Sequence, residues 1–114
     1  MQKSTIEIDV FLNDNKVPEQ INWRASDSNA DEAQKAKAMC IAFWDGVEKS
    51  ALRIDLWTKD MMVDEMADFY FQMFSTMGDT FERATQQKEL SSDIKAFAKD
   101  FMKKFRDIQL KENK

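Results

Sequence analysis

Residues 52–66, LRIDLWTKDMMVDEM, change their periodicity midway. Up to Trp57 the side chains alternate, with Leu52, Ile54 and Leu56 on one side and Arg53, Asp55 and Trp57 on the other. That is the period of a strand. From Met61 the apolar positions recur at helical spacing: Met62, Met66, Phe69, Tyr70, Met73, Met77, Phe81 and Ala84 fall within one broad stripe. The chain therefore passes from sheet to helix through Trp57, Thr58, Lys59 and Asp60, which form either a site or a corner. Asp60 suits an N-cap, and Asp64 and Glu65 suit the positive end of a helix dipole. The spacing thus predicts a corner: Trp57 ends a strand, Thr58 and Lys59 connect, and Asp60 caps a helix over residues 61–87.

Upstream of this corner the strand period recurs. Over residues 4–12, Ile6, Ile8, Val10 and Leu12 share one face, and Thr5, Glu7, Asp9 and Phe11 the other. Asn13-Asp14-Asn15-Lys16 has turn chemistry, and Pro18, the single proline, stands at the entry of the next strand. There Ile21, Trp23 and Ala25 alternate with Asn22 and Arg24, which predicts a hairpin. Residues 26–35 form a polar loop with room for a short helical turn. Residues 37–44, KAMCIAFW, are apolar on both faces, as a central strand is, and Asp45-Gly46 signals a tight turn into residues 50–57. Four short strands joined by local turns predict one antiparallel meander. Downstream, Leu90-Ser91-Ser92-Asp93 opens a second helix with Leu90 as a hydrophobic staple. Its stripe is Ile94, Phe97, Ala98, Phe101, Phe105 and Ile108, and residues 112–114 are expected to fray. The fold class is α+β: a four-stranded antiparallel meander followed by two helices that cover one sheet face, all in a single domain over residues 1–114.

Composition narrows the function classes. At 114 residues the chain buries roughly two-thirds of its unfolded surface. It is 43% apolar and 33% charged, a globular balance, and its net charge of −4 supplies no basic field for nucleic acid or anionic membrane. Glu7 and Asp9 interrupt the N-terminal stretch before an apolar signal core can form, and no run reaches the roughly 20 apolar residues that span a bilayer. With one cysteine and hence no internal disulfide, the expectation is a cytoplasmic protein without membrane insertion. The chain has no histidine, the usual general base and commonest metal ligand. Its two glycines, Gly46 and Gly78, cannot write a phosphate-cradling loop or dinucleotide fingerprint. Cys40, inside an apolar run and without a histidine to activate it, reads as a core residue. No catalytic, cofactor or metal residue is assigned. A carboxylate enzyme with its site at a sheet–helix pocket stays open as an alternative, as does a purely structural oligomeric scaffold.

Two surfaces are candidates for binding. The sheet face away from the helices carries Glu7, Asp9, Arg24, Arg53 and Asp55 among Phe11, Trp44 and Trp57. Large aromatics make efficient anchors, so Phe11, Trp44, Trp57, Arg24 and Arg53 form a candidate partner surface. On the first helix, Phe71 lies off the stripe centre beside Ala67, Phe74 and Gly78, and small residues there admit another backbone. Those four are candidates for self-association into a homo-oligomer. Residues 91–114 carry seven Lys or Arg and four Asp or Glu, a net of +3. Without interleaved exposed aromatics or a nucleic-acid motif, that is a solvated face.

At KSTIEIDV, LRIDLWTKDM, VDEM and DTFERAT the chain resembles the gliding-motility protein C (GldC) family. The match is most specific over residues 52–85, with support from residues 3–10. The resemblance implies a small accessory protein of bacterial gliding motility whose partners belong to the gliding machinery, and it brings no catalytic residue. Separately, the order of four strands then two helices is similar to that of the export chaperone SecB. That topology implies a surface for a client or partner polypeptide, and a chaperone or adaptor role.

Overall fold

Alternation over Ile6–Leu12 makes β1, which pairs antiparallel with β2 (Pro18–Ala25). Ile6, Ile8 and Val10 stand opposite Ala25, Trp23 and Ile21, so the apolar set lies on one face. Asn13 builds the connection: its Oδ1 accepts the N–H groups of Asn15 and Val17 at 2.9 and 3.0 Å. Lys16 adopts φ 61°, a region open to any residue only at a cost. A register shift between Phe11 and Leu12 leaves Leu12 opposite Pro18, which lacks an N–H and so suits the start of a strand.

The structure, a computed structural model, describes residues 1–26 and 32–112. The chain divides into two compact units, Met1–Met61 and Met62–Lys114. The class is α+β, but the sheet is not a single four-stranded meander. Part of the stretch expected to be loop forms a short β3 (Gln34–Ala36) on β2, giving the sheet order β1-β2-β3. β4 (Ala38–Asp45) and β5 (Ser50–Trp57) make a separate two-stranded sheet. The physical reason is where pairing changes hands. Residues 34–36 pair with Ile21–Trp23, whereas Ala38–Asp45 pairs with β5. A three-residue polar strand is too short to show a period. The remainder of the expected loop, residues 27–31, and the last two residues lie outside the described residues.

The β4–β5 turn also differs from the two-residue form expected of Asp45-Gly46. The strands close at the Asp45–Ser50 pair, with Lys49, not Gly46, in the left-handed region at φ 53°. Asp45 Oδ1 accepts the N–H groups of Val47 and Glu48, an Asx-type turn that fixes the loop. Those two N–H groups, Glu48's first, hold the Asp45 carboxyl below its ordinary range.

The second unit is a helical hairpin of α1 (Val63–Thr85) and α2 (Lys88–Glu112). Its start corrects the expected cap: Met62 occupies the N-cap, and Glu65 Oε1 accepts the Met62 N–H at 3.0 Å. Gln86, at φ 63°, ends α1 by donating its N–H to Glu82 O. The connection is then so short that α2 begins at Lys88, before the Leu90–Asp93 start that residue chemistry suggested. Ser91 therefore lies inside the helix, and its hydroxyl has another use. Only 1% exposed, it donates to the Gly78 carbonyl across the hairpin at 2.6 Å.

At that bond the two helices come close together. A Cβ on Gly78 would stand 3.1 Å from Lys95 Cγ and 3.2 Å from the Ser91 backbone oxygen. Ala67, Ala98 and Met102 are buried along the same hairpin. Phe74 sets its ring edge-on to Phe97 and Phe101, with both centroids 5.4 Å away. Asp79 and Lys95 add an ion pair near its surface.

Ser91→Ala should cost about 1 kcal/mol in denaturant unfolding of the intact chain, the usual loss for one buried hydrogen bond. Gly78→Val should cost more, because a β-branched side chain meets the Ser91 backbone oxygen as well as Lys95 Cγ. A Gly78→Val protein as stable as wild type would show that the helices do not approach there.

Candidate functional site

The corner proves to be a joint between the two sheets. Thr58, 2% exposed, donates its N–H to Lys37 O at 2.7 Å, and its hydroxyl lies 3.2 Å from the same oxygen. Lys59 donates its N–H to Pro18 O at 3.1 Å, and its Nζ pairs with Glu19 Oε1 at 2.9 Å. The Thr58 hydroxyl donates to Asp60 Oδ1 at 2.5 Å. Asp60 is thus not the helix cap but the partner of Thr58, and Met62 has taken the cap.

These residues border a cavity of about 320 Å³, lined by Glu19, Gln20, Lys35, Ala36, Lys37, Thr58 and Asp60. Two carboxylates meeting at a pocket are what an acid–base site needs, so the cavity is the natural test of the enzyme alternative. Each carboxylate is already engaged, Glu19 by Lys59 and Asp60 by Thr58. The Thr58 hydroxyl, with smaller help from the Lys37 and Lys59 charges, holds the Asp60 carboxyl below its ordinary value. A general acid or base near neutral pH needs the opposite shift. Among the described residues no group of three or more His, Cys, Asp or Glu is placed to hold a metal ion.

The candidate partner residues separate onto two sheets. Phe11 and Arg24 lie on the polar face of β1-β2-β3, where Arg24 stands opposite Glu7 with Nε 3.6 Å from its carboxylate. Trp44, Arg53 and Trp57 come together on one face of β4–β5, facing Ala51, Ala42 and Ala38 on the opposite strand. Cys40, opposite Asp55, shares this face and is half-buried rather than a core residue. Trp44 and Trp57 are 70% and 55% exposed, so the face is a floor of small side chains with a large ring towards each end. The rings are separated by about 20 Å of strand. Between them Arg53 grips Asp55 through Nη2 at 2.8 Å and Nε at 3.2 Å. Arg53 first, and the Cys40 thiol after it, hold the Asp55 carboxyl low. The opposite face pairs Met39 with Leu56, Ile41 with Ile54 and Phe43 with Leu52, and is apolar up to the Asp45–Ser50 pair at the turn. Strand alternation showed which residues share a face of each strand, but not that a change of partner at Lys37 parts β1 and β2 from β5.

The four residues proposed for self-association lie along α1. Ala67 and Gly78 are buried, Phe74 meets Phe97 and Phe101, and Phe71 lines a groove with residues of α2. The close backbone approach that small residues permit at Gly78 is made by α2 of the same chain.

Acid should weaken the first unit. Asp45, Asp55 and Asp60 all have folded-state pKa values below their ordinary ones. The unfolded chain then binds more protons, so their stabilisation is present above about pH 4 and is lost as pH falls through the folded values. Thermal unfolding between about pH 6 and pH 2 should show this fall, and Asp60→Asn should make it shallower. Thr58→Val should return the Asp60 carboxyl towards its ordinary value in an NMR titration. An unmoved Asp60 would mean its proton affinity is set elsewhere.

No curated protein and no solved structure matched the chain, and five strands in two sheets precede the helices where the SecB-like order has four. No helix among the described residues is long and apolar enough to cross a membrane. Residues 18–107, most of the chain, match the family described as gliding motility-associated protein GldC-like, and the chain belongs to that family.

Proposed function

We propose that this is a non-catalytic accessory protein of gliding motility that works in the cytoplasm by holding a protein partner on the tryptophan face of β4–β5. The observation that carries this is the pair Trp44 and Trp57, both more than half exposed on one face over a floor of Ala38, Cys40, Ala42 and Ala51. Exposed rings so large are unfavourable in water unless something covers them, and small residues between them leave room for an incoming chain. The spacing suits an extended segment of several residues, with the Arg53–Asp55 pair available to its polar groups. A chaperone or adaptor role would use such a surface, with partners from the gliding machinery.

Self-association belongs to the same proposal. The mostly apolar face of β4–β5 leaves Phe43, Leu52 and Ile54 60%, 56% and 48% exposed, and a second copy would bury them. The engaged carboxylates at the joint argue against the enzyme alternative, since neither is free to shuttle a proton.

Affinity capture from the native cytoplasm of gliding cells, with mass-spectrometric identification, tests the partner. Wild type should retain a defined protein that Trp44→Ala/Trp57→Ala loses while its circular dichroism is unchanged. Equal retention by the double variant would remove the tryptophan face from the proposal. Sedimentation should show a species larger than a monomer at micromolar concentration, reduced in size by Phe43→Glu, because association would strip water from an unpaired carboxylate.

A further inference from the structure

The helical unit contains a groove of about 430 Å³ whose lining has a different character from the rest of the chain. Its floor is apolar, made by Phe71 from α1 and by Met102 and Leu110 from α2. Its rim is cationic, made by Lys99, Lys103 and Arg106. All three cations are exposed, and among the described residues none of them is in an ion pair. Lys95 and Lys104 of the same unit do have acidic partners, Asp79 and Asp100; what sets the three apart is that they gather around one apolar lining. Asp107 is the single acid on the lining. A chain of net charge −4 thus presents a locally positive groove.

Two ordinary roles do not account for this placement. Cations stabilise the negative end of a helix dipole only within its last turn, and Lys111 already stands there. Solubility calls for charges scattered over a polar surface, not for three of one sign around an apolar floor. Leu110, 64% exposed at one end of that floor, is left uncovered.

We propose that this groove receives an acidic amphipathic helix from a protein partner. Lys99, Lys103, Arg106 and Leu110 follow one another at i, i+4, i+7 and i+11, a straight line along about 16 Å of α2. A partner helix laid beside α2 repeats on the same pitch: its apolar stripe would fill the floor, and acidic residues flanking that stripe would meet the cations one turn at a time. A bilayer is flat and a nucleic-acid backbone is polar, so neither fills a concave apolar floor. The groove lies wholly within the helical unit, so the proposal stands independently of the tryptophan face, and losing one leaves the other intact.

The test is selection of helix-forming 18-residue peptides from a displayed library on the intact protein at low salt. Enriched sequences should carry Leu, Phe or Met at helical spacing flanked by Asp or Glu. In fluorescence anisotropy they should bind wild type, lose affinity as salt is raised, and bind Lys103→Glu about tenfold more weakly. Arg106→Glu, a second exposed position, should repeat that loss, and Trp44→Ala should not. Failure to enrich any sequence, enrichment of basic or non-amphipathic sequences, or equal binding to both charge-reversed variants would overturn the proposal. So would salt-sensitive self-association abolished by Lys103→Glu, which would assign the groove to a second copy. Flotation with phosphatidylglycerol vesicles that needs the same cations would assign it to a membrane, and would overturn it too.

Discussion

The carbonyl oxygen of Lys37 is the point on which the first unit depends. It sits between β3 and β4, where the chain stops pairing with β2 and starts pairing with β5, and both the N–H and the hydroxyl of Thr58 reach it. One residue on, the Lys59 N–H closes onto Pro18 O at the start of β2. The exit of β5 is thereby tied to the entries of β2 and β4 at one spot. The Thr58 N–H donates to that oxygen at 2.7 Å, and the hydroxyl, 3.2 Å away, has a single proton to give. Asp60 completes the arrangement by accepting the hydroxyl proton. The residues that most resemble an active site in the sequence are there because a change of sheet needs them.

What was legible in the sequence follows from what each pattern encodes. Period-two alternation located β1, β2 and β5 to within two residues, because alternation records which side chains share a face. It does not record which strand lies beside which, so the handover at Lys37 was invisible and one sheet was expected where there are two. Helical spacing found both helices for the same reason, whereas their ends depended on local competition. Asp60 has the chemistry of a cap, but Thr58 holds it, and Glu65 secures Met62 instead. Ser91 has the chemistry of a cap too, yet the short turn at Gln86 carries α2 past it, and its hydroxyl serves the Gly78 carbonyl. Each miss has one cause: a polar side chain can satisfy several partners, and only the folded neighbourhood decides among them.

The same limit applies to the surfaces. Trp44, Arg53 and Trp57 share a face because strand parity requires it once β4 and β5 are in register, and parity is readable. That Phe11 and Arg24 belong to another sheet is not. The basic character of the second helix was plain from its composition, but the apolar floor between its cations needed Phe71, a residue from the neighbouring helix some thirty positions earlier.

All three tryptophans, Trp23, Trp44 and Trp57, are on strands of the first unit, and the helical unit has none. Tryptophan emission therefore reports on the sheets alone, while far-ultraviolet dichroism is weighted towards the hairpin. Superimposing the two unfolding curves measures whether the units melt as one cooperative body or in succession. Two of those rings lie on the proposed partner face, so the unlabelled protein carries its own optical probe, and a spectral shift on mixing would distinguish an occupant of the sheet from one of the helical groove.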